Sequence, residues 1–325
     1  MAVEHTSLMK TSGKSTGKLT GKSTGLSNKW RQIKKYRNLY WMLLPTLIYF
    51  FIFHYIPFAG ISIAFKDFQP FIGIADSPWV GFKHFNMIYH SEDFYQLLVN
   101  TLLISGYRLI FGFPVPIIFA LLLNEVRKQS VKKTVQTITY FPHFLSWIVY
   151  GGLILSFISP AGIINEILKG FGIPAIDFVT GPDYFRSILV ITGILKDFGW
   201  GAIIYLAALS SIDPQLYEAA TVDGSGRWKK MIHVTLPALL PTVFLMLIIQ
   251  IGYILDAGFE QIFVMSNPTV YGVSDIFDTY VYRIGIEQAN FSEATAIGLF
   301  KGVVGFILIV SANRIIKRSG EPTLW

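Results

Sequence analysis

The chain has 325 residues, of which 52% are hydrophobic and only 14% are charged. Soluble domains average about a quarter charged residues, so lipid must replace water over much of this protein's surface. The absence of cysteine excludes disulfides, thiolate metal sites and cysteine nucleophiles, and a formal net charge of +7 fits either nucleic acid or basic cytoplasmic loops.

The N-terminal tail, residues 1–28, is basic and rich in Ser, Thr and Gly, and we expect it to be disordered. Its two GKST strings resemble the end of a phosphate-binding loop. That loop requires a glycine five residues before the Gly of its Gly-Lys pair, and Leu8 and Thr16 occupy those positions. The tail is therefore not predicted to bind a nucleotide.

Six long apolar segments follow, each about long enough to cross a ~30 Å hydrocarbon core as a helix. We predict spans at residues 41–65, 97–123, 140–158, 187–209, 234–257 and 294–316. Lipid offers no partners to backbone polar groups, and barrel strands would be shorter and would alternate in polarity. The sequence therefore predicts an all-α polytopic membrane protein with six transmembrane helices. Kinks or helix starts are expected at Pro45, Pro57, Pro114, Pro116 and Pro241.

The basic residues alternate from loop to loop. Nineteen of the 27 Lys and Arg residues lie in the two terminal tails and in the second and fourth loops. Five lie in the other three loops, and Arg108, Lys196 and Lys301 lie inside predicted spans. Cytoplasmic loops carry the excess of Lys and Arg, so both termini are predicted to be cytoplasmic. This distribution also argues against a nucleic-acid partner and leaves membrane lipid as the surroundings.

The loop at residues 213–233 has the most informative sequence. Asp213 and Pro214 are typical of a helix N-cap and a first helical position, and PQLYEAATVD follows as a short helix. Gly224 and Gly226 are expected to end that helix with positive φ angles.

The spacing in and after this loop resembles the EAA motif of binding-protein-dependent importer permeases. In that motif Glu-Ala-Ala and a later Gly precede an aliphatic residue and Leu-Pro. The matching residues are Glu218, Ala219, Ala220, Gly224, Val234, Leu236 and Pro237, with Asp223 beside the glycine. Val234 replaces the usual Ile, and the usual nearby Phe is absent. Leu236 and Pro237 are expected to start the next span. We call residues 213–233 the EAA loop.

Other segments extend this resemblance over most of the chain beyond the tail. YWMLLPTLIYFFIFHYIPFAGISIAFKDF, WVGFKHF and NTLLIS resemble the carbohydrate-uptake branch, and within it the permeases for polysaccharide fragments such as alginate. The resemblance implies a type I ABC importer fold for residues 29–325, in the bacterial inner membrane.

The resemblance also implies a set of partners. A second permease subunit, often a different one, would complete the path, and an extracytoplasmic solute-binding protein would deliver the substrate. Two cytoplasmic ATPase subunits would hold ATP and magnesium, so this chain would bind no cofactor and have no catalytic residue. Residues 218–224 would dock on an ATPase as a coupling helix.

Two ionisable residues of the fourth span are candidates for the substrate path. Such residues usually face a bundle interior or a water-filled path. Lys196 and Asp197 are adjacent, so a helix points them about 100° apart. One interpretation is a polar path with Trp200 or Tyr205 stacking on sugar. Structural pairing between helices, or snorkelling near the membrane boundary, is the equally favoured alternative.

The other polar residues within or near the spans point to structure rather than chemistry. For Arg108 and Lys301 we favour structural pairing between helices, or snorkelling near the membrane boundary, over a place on the substrate path. The histidines at 54, 143 and 233 have no metal-ligand spacing, so no metal site is predicted. The alternative function is a secondary transporter driven by an ion gradient, which would not explain the EAA motif. A membrane-embedded enzyme would need a cluster of acid, base or metal-binding residues, and none is visible in the sequence.

Overall fold

The computed structural model describes residues 35–318, so the tail at 1–28 lies outside the described residues. Within them the regular structure is helical, and no strand occurs apart from one isolated antiparallel bridge between Lys66 and Trp79. The chain divides into two compact units, one ending at Ala59 and the other beginning at Gly60. The predicted all-α fold is confirmed.

Six helical segments among the described residues are long and apolar enough to cross a membrane, as predicted. They are Arg37–Phe65, Glu92–Asn124, Trp147–Gly170, Pro182–Ser210, Arg227–Gly252 and Phe291–Arg318. Four of them contain the predicted span with a few more residues at one or both ends. The extra residues are mostly polar, because a helix continues into the interfacial region beyond the hydrocarbon core.

The helices of these segments are numbered in chain order. The first three segments contain α1 (Arg37–Phe50), α4 (Glu92–Tyr107), α5 (Pro114–Asn124), α7 (Trp147–Ile158) and α8 (Ile163–Gly170). The last three contain α9 (Pro182–Ser210), α11 (Arg227–Lys230), α12 (Leu236–Gly252) and α16 (Phe291–Arg318). The connections contain α2 (Gly73–Asp76), α3 (Lys83–Tyr89), α6 (Gln129–Tyr140), α10 (Pro214–Val222), α13 (Phe259–Met265), α14 (Tyr271–Ser274) and α15 (Phe277–Tyr282).

The third span starts later than the predicted residue 140. Tyr140 is the last residue of α6, an amphipathic helix in what the sequence suggested was a plain loop, and a 3₁₀ turn follows at Phe141–Phe144. Ser146 then caps α7, because its hydroxyl accepts a hydrogen bond from the Val149 N–H at 3.4 Å. Hydropathy did not show this corner, because Phe141, Phe144 and Leu145 extend the apolar run of the span to its N-terminal side.

The fifth span is also displaced from the predicted 234–257. Its helix begins at Arg227 and ends at Gly252. Leu236 and Pro237 are the first two residues of α12, as expected, but α11 and a π-helical turn precede them in the same helical segment. The basic first turn is helical but too polar for a hydropathy criterion to include.

Three of the long helical segments contain a π-helical turn immediately before an X-Pro pair. The turns are Phe51–Tyr55, Arg108–Gly112 and Met231–Thr235, and the prolines are Pro57, Pro114 and Pro237. In each turn the residue before proline donates its N–H to the carbonyl five residues back. Proline cannot donate to the carbonyl four residues back, and its ring clashes with that carbonyl. The wider π turn accommodates the ring, so these helices continue through proline.

The connection at residues 253–290 folds into the second unit as a packed cap. Ala257, Ile262 and Met265 from this connection are buried against Phe185 and Leu189 of α9. Elsewhere Phe277 and Ile284 are buried in a cluster with residues of α4 and α16. The cap therefore supplies part of the core of this unit.

Polar contacts fix the same connection to the spans. Arg186 donates from Nη2 to Asn100 Oδ1 at 2.7 Å and from Nε to Val273 O at 3.0 Å. Asn100 in turn donates to Asp275 O at 3.0 Å. The Asp275 carboxylate is buried and forms an ion pair with Arg283.

We predict that Arg283→Met lowers the stability of the purified protein in detergent. The change leaves the Asp275 carboxylate, only 5% exposed, without its cation, and breaking a buried pair in this way costs about 3 kcal/mol. Thermal unfolding followed by circular dichroism measures the effect. Lys169→Met, which breaks the exposed pair with Glu166, is the control and should cost less than about 1 kcal/mol. Equal losses in both variants would contradict the prediction.

Candidate functional site

The EAA loop begins with a short helix, α10, that has defined signals at both ends. The Asp213 carboxylate accepts from the Gln215 N–H at 2.9 Å, and Pro214 occupies the first helical position, as predicted. Gly224 follows the helix with a φ of 75°. A Cβ added there would meet nothing within 4 Å, so the backbone conformation, and not lack of space, requires glycine.

Gly226 differs from the expectation. Its φ of −71° and ψ of 173° are extended, and it is the N-cap of α11. The predicted positive φ at this position is therefore wrong. Because the fifth span begins at Arg227, only residues 223–226 separate α10 from that span.

The surface of α10 is largely unpaired. Leu216 is 51% exposed and Val222 is 89% exposed, and Glu218 and Ala219 are also exposed. Within residues 35–318, Glu218 and Asp223 make no side-chain hydrogen bond or ion pair. The helix thus combines apolar groups with free carboxylates, a surface that could bind another protein.

The opposite side of α10 is attached to the beginning of the fifth span. The Tyr217 hydroxyl lies 3.0 Å from Thr235 Oγ1, and Thr235 is only 3% exposed. Lys230 Nζ donates to Thr221 Oγ1 at 2.6 Å. A displacement of α10 would therefore reach the fifth span through these side chains as well as through the short connection.

The second feature is a cavity of about 360 Å³ between the second, fourth and fifth spans, closed by the first turn of α7 and by α13. Its lining includes the polar residues Arg108, Asp197, Gln250 and Gln261 and the aromatic residues Phe113, Trp147, Phe198 and Tyr205. The remaining lining is apolar, which is the usual composition of a site for a small organic ligand.

Lys196, a predicted substrate-path residue, has a structural position. It is 4% exposed and does not line this cavity. Its Nζ donates to Pro142 O at 3.2 Å and to His143 O at 2.8 Å, and it lies 5.3 Å from the centre of the Trp147 ring. The ammonium group thus holds the corner that precedes the third span, which is the pairing alternative.

The other three predicted residues separate into two groups. Asp197 and Tyr205 line the cavity, and Tyr205 is 4% exposed. Asp197 is bonded to His143 Nδ1 at 2.8 Å. Trp200 does not line the cavity, but it is 43% exposed and its ring stacks on His143 with centroids 4.6 Å apart.

The sequence did not identify Gln261 as a cavity residue. Gln261 lies on α13, after the predicted fifth span, and no sequence pattern indicates that it lies beside the second and fourth spans. Its Nε2 donates to Leu189 O at 2.9 Å and to Thr192 Oγ1 at 2.7 Å, and its Oε1 accepts from Arg108. Arg108 was expected to be structurally paired, and it both pairs with Gln261 and lines the cavity.

Lys301 forms the expected structural pair, in this case with Asp278 on α15. Burial raises the pKa of the Asp278 carboxyl, while its hydrogen bond and ion pair with Lys301 oppose that shift. No group of three or more His, Asp or Glu side chains that could hold a metal ion occurs within residues 35–318.

The sequence matches a known family over most of its length. The family described as binding-protein-dependent transport system inner membrane component matches residues 112–320. Protein LplB of Bacillus subtilis (strain 168) is 46% identical over 294 residues, which cover 90% of this chain and 92% of that protein. The polygalacturonan/rhamnogalacturonan transport system permease protein YteP of the same organism is 47% identical over 290 residues, covering 89% and 90%.

The fold also matches solved structures. One is a bacterial ABC transporter involved in the import of the acidic polysaccharide alginate; the matching chain is 43% identical, with a TM-score of 0.84, over 90% of this chain and 99% of that chain. The bacterial alginate ABC transporter in complex with an alginate pentasaccharide-bound periplasmic protein matches with 42% identity and the same TM-score, over 91% and 99%.

We predict that Lys196→Met destabilises the protein. The variant removes the Lys196 donor from the part-buried His143 carbonyl and leaves Pro142 O with only the Leu145 N–H, at a cost of about 2 kcal/mol. Thermal unfolding in detergent measures this loss, and Lys229→Met, which removes an exposed lysine without a partner, should have no effect. Unchanged stability of Lys196→Met together with reduced transport would instead return Lys196 to the substrate path.

Proposed function

The chain belongs to the family of binding-protein-dependent transport system inner membrane components, and on that premise we propose how it works as a permease subunit of an ATP-driven importer. It is a multi-pass protein of the bacterial inner membrane whose relatives include sugar and polysaccharide permeases. A secondary transporter is the less suitable function, because neither the family nor the EAA motif would then be explained.

The proposed cargo is an acidic oligosaccharide or polysaccharide fragment. The relative YteP is named for polygalacturonan and rhamnogalacturonan transport, and the matched structures are of an importer of alginate, an acidic polysaccharide. Polygalacturonan and alginate share uronic acid units, which carry one carboxylate on each sugar ring. A fragment of this chemical class, including alginate itself, is therefore the substrate that the relatives support.

The proposed assembly contains one second permease subunit, which differs from this chain, two ATPase subunits and an extracytoplasmic solute-binding protein. The matched alginate transporter bound to a loaded periplasmic protein supports the last of these. ATP and magnesium belong to the ATPase subunits in this proposal, and this chain binds neither.

The observation that carries the mechanism is the exposed, unpaired surface of α10 beside the start of the fifth span. We assign Glu218, Ala219, Ala220, Asp223 and Gly224 to contact with an ATPase subunit, and Leu236 and Pro237 to the helix that receives the motion. Small alanine side chains permit close approach, and Glu218 can pair with a basic group of the partner. Closure of the ATPase dimer would then push α10 and rotate the fourth and fifth spans.

This mechanism requires a specific orientation in the membrane. Both termini would be cytoplasmic, which places the EAA loop on the side of ATP, in agreement with the concentration of Lys and Arg there. The cap at residues 253–290 would then face the solute-binding protein.

We predict that Glu218→Lys uncouples the importer. Reversing this charge places it against a basic partner group, and loss of one member of an interfacial charge pair lowers binding by a few kcal/mol, so transport should fall at least about tenfold. Substrate uptake and ATP hydrolysis in reconstituted vesicles measure the effect. The control is Glu125→Lys, an exposed glutamate in the loop between the second and third spans, which should transport normally. Equal transport by both variants would remove α10 as the coupling element.

We predict that Gly224→Val also uncouples transport. Valine disfavours the positive φ that turns the chain from α10 toward the fifth span. Gly172→Val is the matched control, because Gly172 has a φ of 76° and similarly open surroundings but lies in another loop. Uptake measurements on assembled transporters should show a loss in Gly224→Val alone. A similar loss in both variants would mean that backbone strain, and not coupling, is responsible.

A further inference from the structure

We propose that Arg108 binds the carboxylate of an acidic sugar as the sugar passes the middle of the membrane. This inference rests on the proposed function, because it names the group in this chain that would recognise an acidic cargo. It assigns Arg108 as a determinant of specificity, whereas the sequence favoured structural pairing or snorkelling over a place on the substrate path.

Arg108 lies near the middle of the second span, Glu92–Asn124, and lines the cavity. A charge at this depth is costly, and such residues usually face a water-filled path or a partner. Moving the carboxylate of a sugar from water to this depth also costs desolvation free energy. A cation held at mid-depth reduces the cost for both groups.

The guanidinium group has donors to spare. Nη2 donates to Gln261 Oε1, which is a neutral acceptor. Nε is buried without any hydrogen-bond partner, and Nη1 has no partner within residues 35–318. Arginine presents its N–H groups as a planar fork that fits the two oxygens of a carboxylate. The unused donors of Arg108 therefore suit a bidentate anionic ligand.

Two glycines give this side chain its room. A Cβ added at Gly258 would collide with the guanidinium nitrogens of Arg108. A Cβ added at Gly193 of α9 would come within 3.3 Å of Gln261 Oε1 and 3.8 Å of Arg108 Nη2. The guanidinium group is thus accommodated from two sides by residues without side chains, and Gln261 determines its direction.

Nearby carboxylates do not occupy these donors. Asp197 and Asp256 are close enough to act on Arg108 through space, but neither forms a hydrogen bond or ion pair with it. Asp197 is bonded to His143, and Asp256 interacts with Asp278, which is paired with Lys301. Among residues 35–318, therefore, no carboxylate is bonded to the free donors of Arg108.

The two other cations predicted inside the spans are different. Lys196 donates to two backbone carbonyls, and Lys301 has the Asp278 carboxylate. Both are fully explained as structural groups, and neither lines the cavity. Lys301 lines two other cavities beside α16, where Asp278 neutralises its charge, so of these three cations only Arg108 lines this cavity without a carboxylate partner.

The cavity also offers contacts for the rest of a sugar. Trp147 and Tyr205 provide aromatic surface, and Gln250 provides an amide for hydroxyl groups. The Asp197 carboxylate also lines the cavity, but its Oδ1 is bonded to His143 Nδ1 at 2.8 Å. With that carboxylate occupied, the free guanidinium donors, aromatic rings and amide fit a uronic acid better than a neutral sugar.

The test is uptake of tetragalacturonate by the complete transporter in vesicles, with ATP hydrolysis stimulated by the loaded solute-binding protein measured in parallel. We expect Arg108→Gln to lower uptake at least about tenfold while stimulated hydrolysis stays within about twofold, because the EAA loop is untouched. Arg108→Lys retains the charge but not the planar fork, and should recover only part of the uptake. The control Lys133→Met removes an exposed lysine of α6, outside both the cavity and the EAA loop, and should behave as the unaltered protein.

Each of the other results contradicts either this inference or the proposed acidic cargo. Normal uptake by Arg108→Gln contradicts this inference and leaves the proposed function intact. Loss of assembly or of stimulated hydrolysis in both Arg108 variants assigns Arg108 a structural role and also overturns it. Absence of uptake by the unaltered transporter contradicts the proposed acidic cargo, and this inference falls with it.

Discussion

Lipid offers no hydrogen bonds, so each polar group that enters the membrane must find its partner within the protein. Spans two to six meet this constraint largely through their connections. Asn100 and Arg186 reach the cap at residues 253–290, Lys196 reaches the carbonyls of the corner before the third span, and Lys301 reaches Asp278. The cap is consequently part of the fold of these spans, and a change in the cap should alter the packing of the spans in the middle of the membrane.

The same constraint explains which parts of the fold could be predicted. Hydropathy and length identify six spans because a helix must hide its backbone from lipid over a fixed distance. Asp213, Pro214 and Gly224 could be assigned correctly because N-cap, first-turn and positive-φ positions depend on local chemistry. The start of the third span could not be assigned in this way, because Ser146 ends a corner whose Phe and Leu residues extend the apolar run.

The cavity was less predictable for a different reason. Asp197 and Tyr205 could be proposed because an ionisable or aromatic residue within one helix is visible in the sequence. Gln261 lies in a connection some 65 residues away from them in the chain, and only tertiary packing brings it beside Arg108. Lys196 was proposed for the substrate path, but its ammonium group is bonded to two backbone carbonyls. In a sequence, an intramembrane charge bonded to carbonyls cannot be distinguished from one that faces a path.

The EAA loop connects two of the helices that line the cavity, α9 and α12, and this connects substrate recognition with coupling to ATP hydrolysis. Asp197 and Tyr205 lie on α9, Gln250 lies on α12, and α10 is the short helix that joins these two spans. The hydrogen bond between Tyr217 and Thr235 fixes α10 to the π-helical turn that leads into α12. A π turn is wider than an α-helical turn. The fifth span can therefore bend at Met231–Thr235 while α12 keeps its packing. A push on α10 would then change the spacing between the cavity walls, and with it the distance from Arg108 to a bound carboxylate, without any contact between ATPase and cargo.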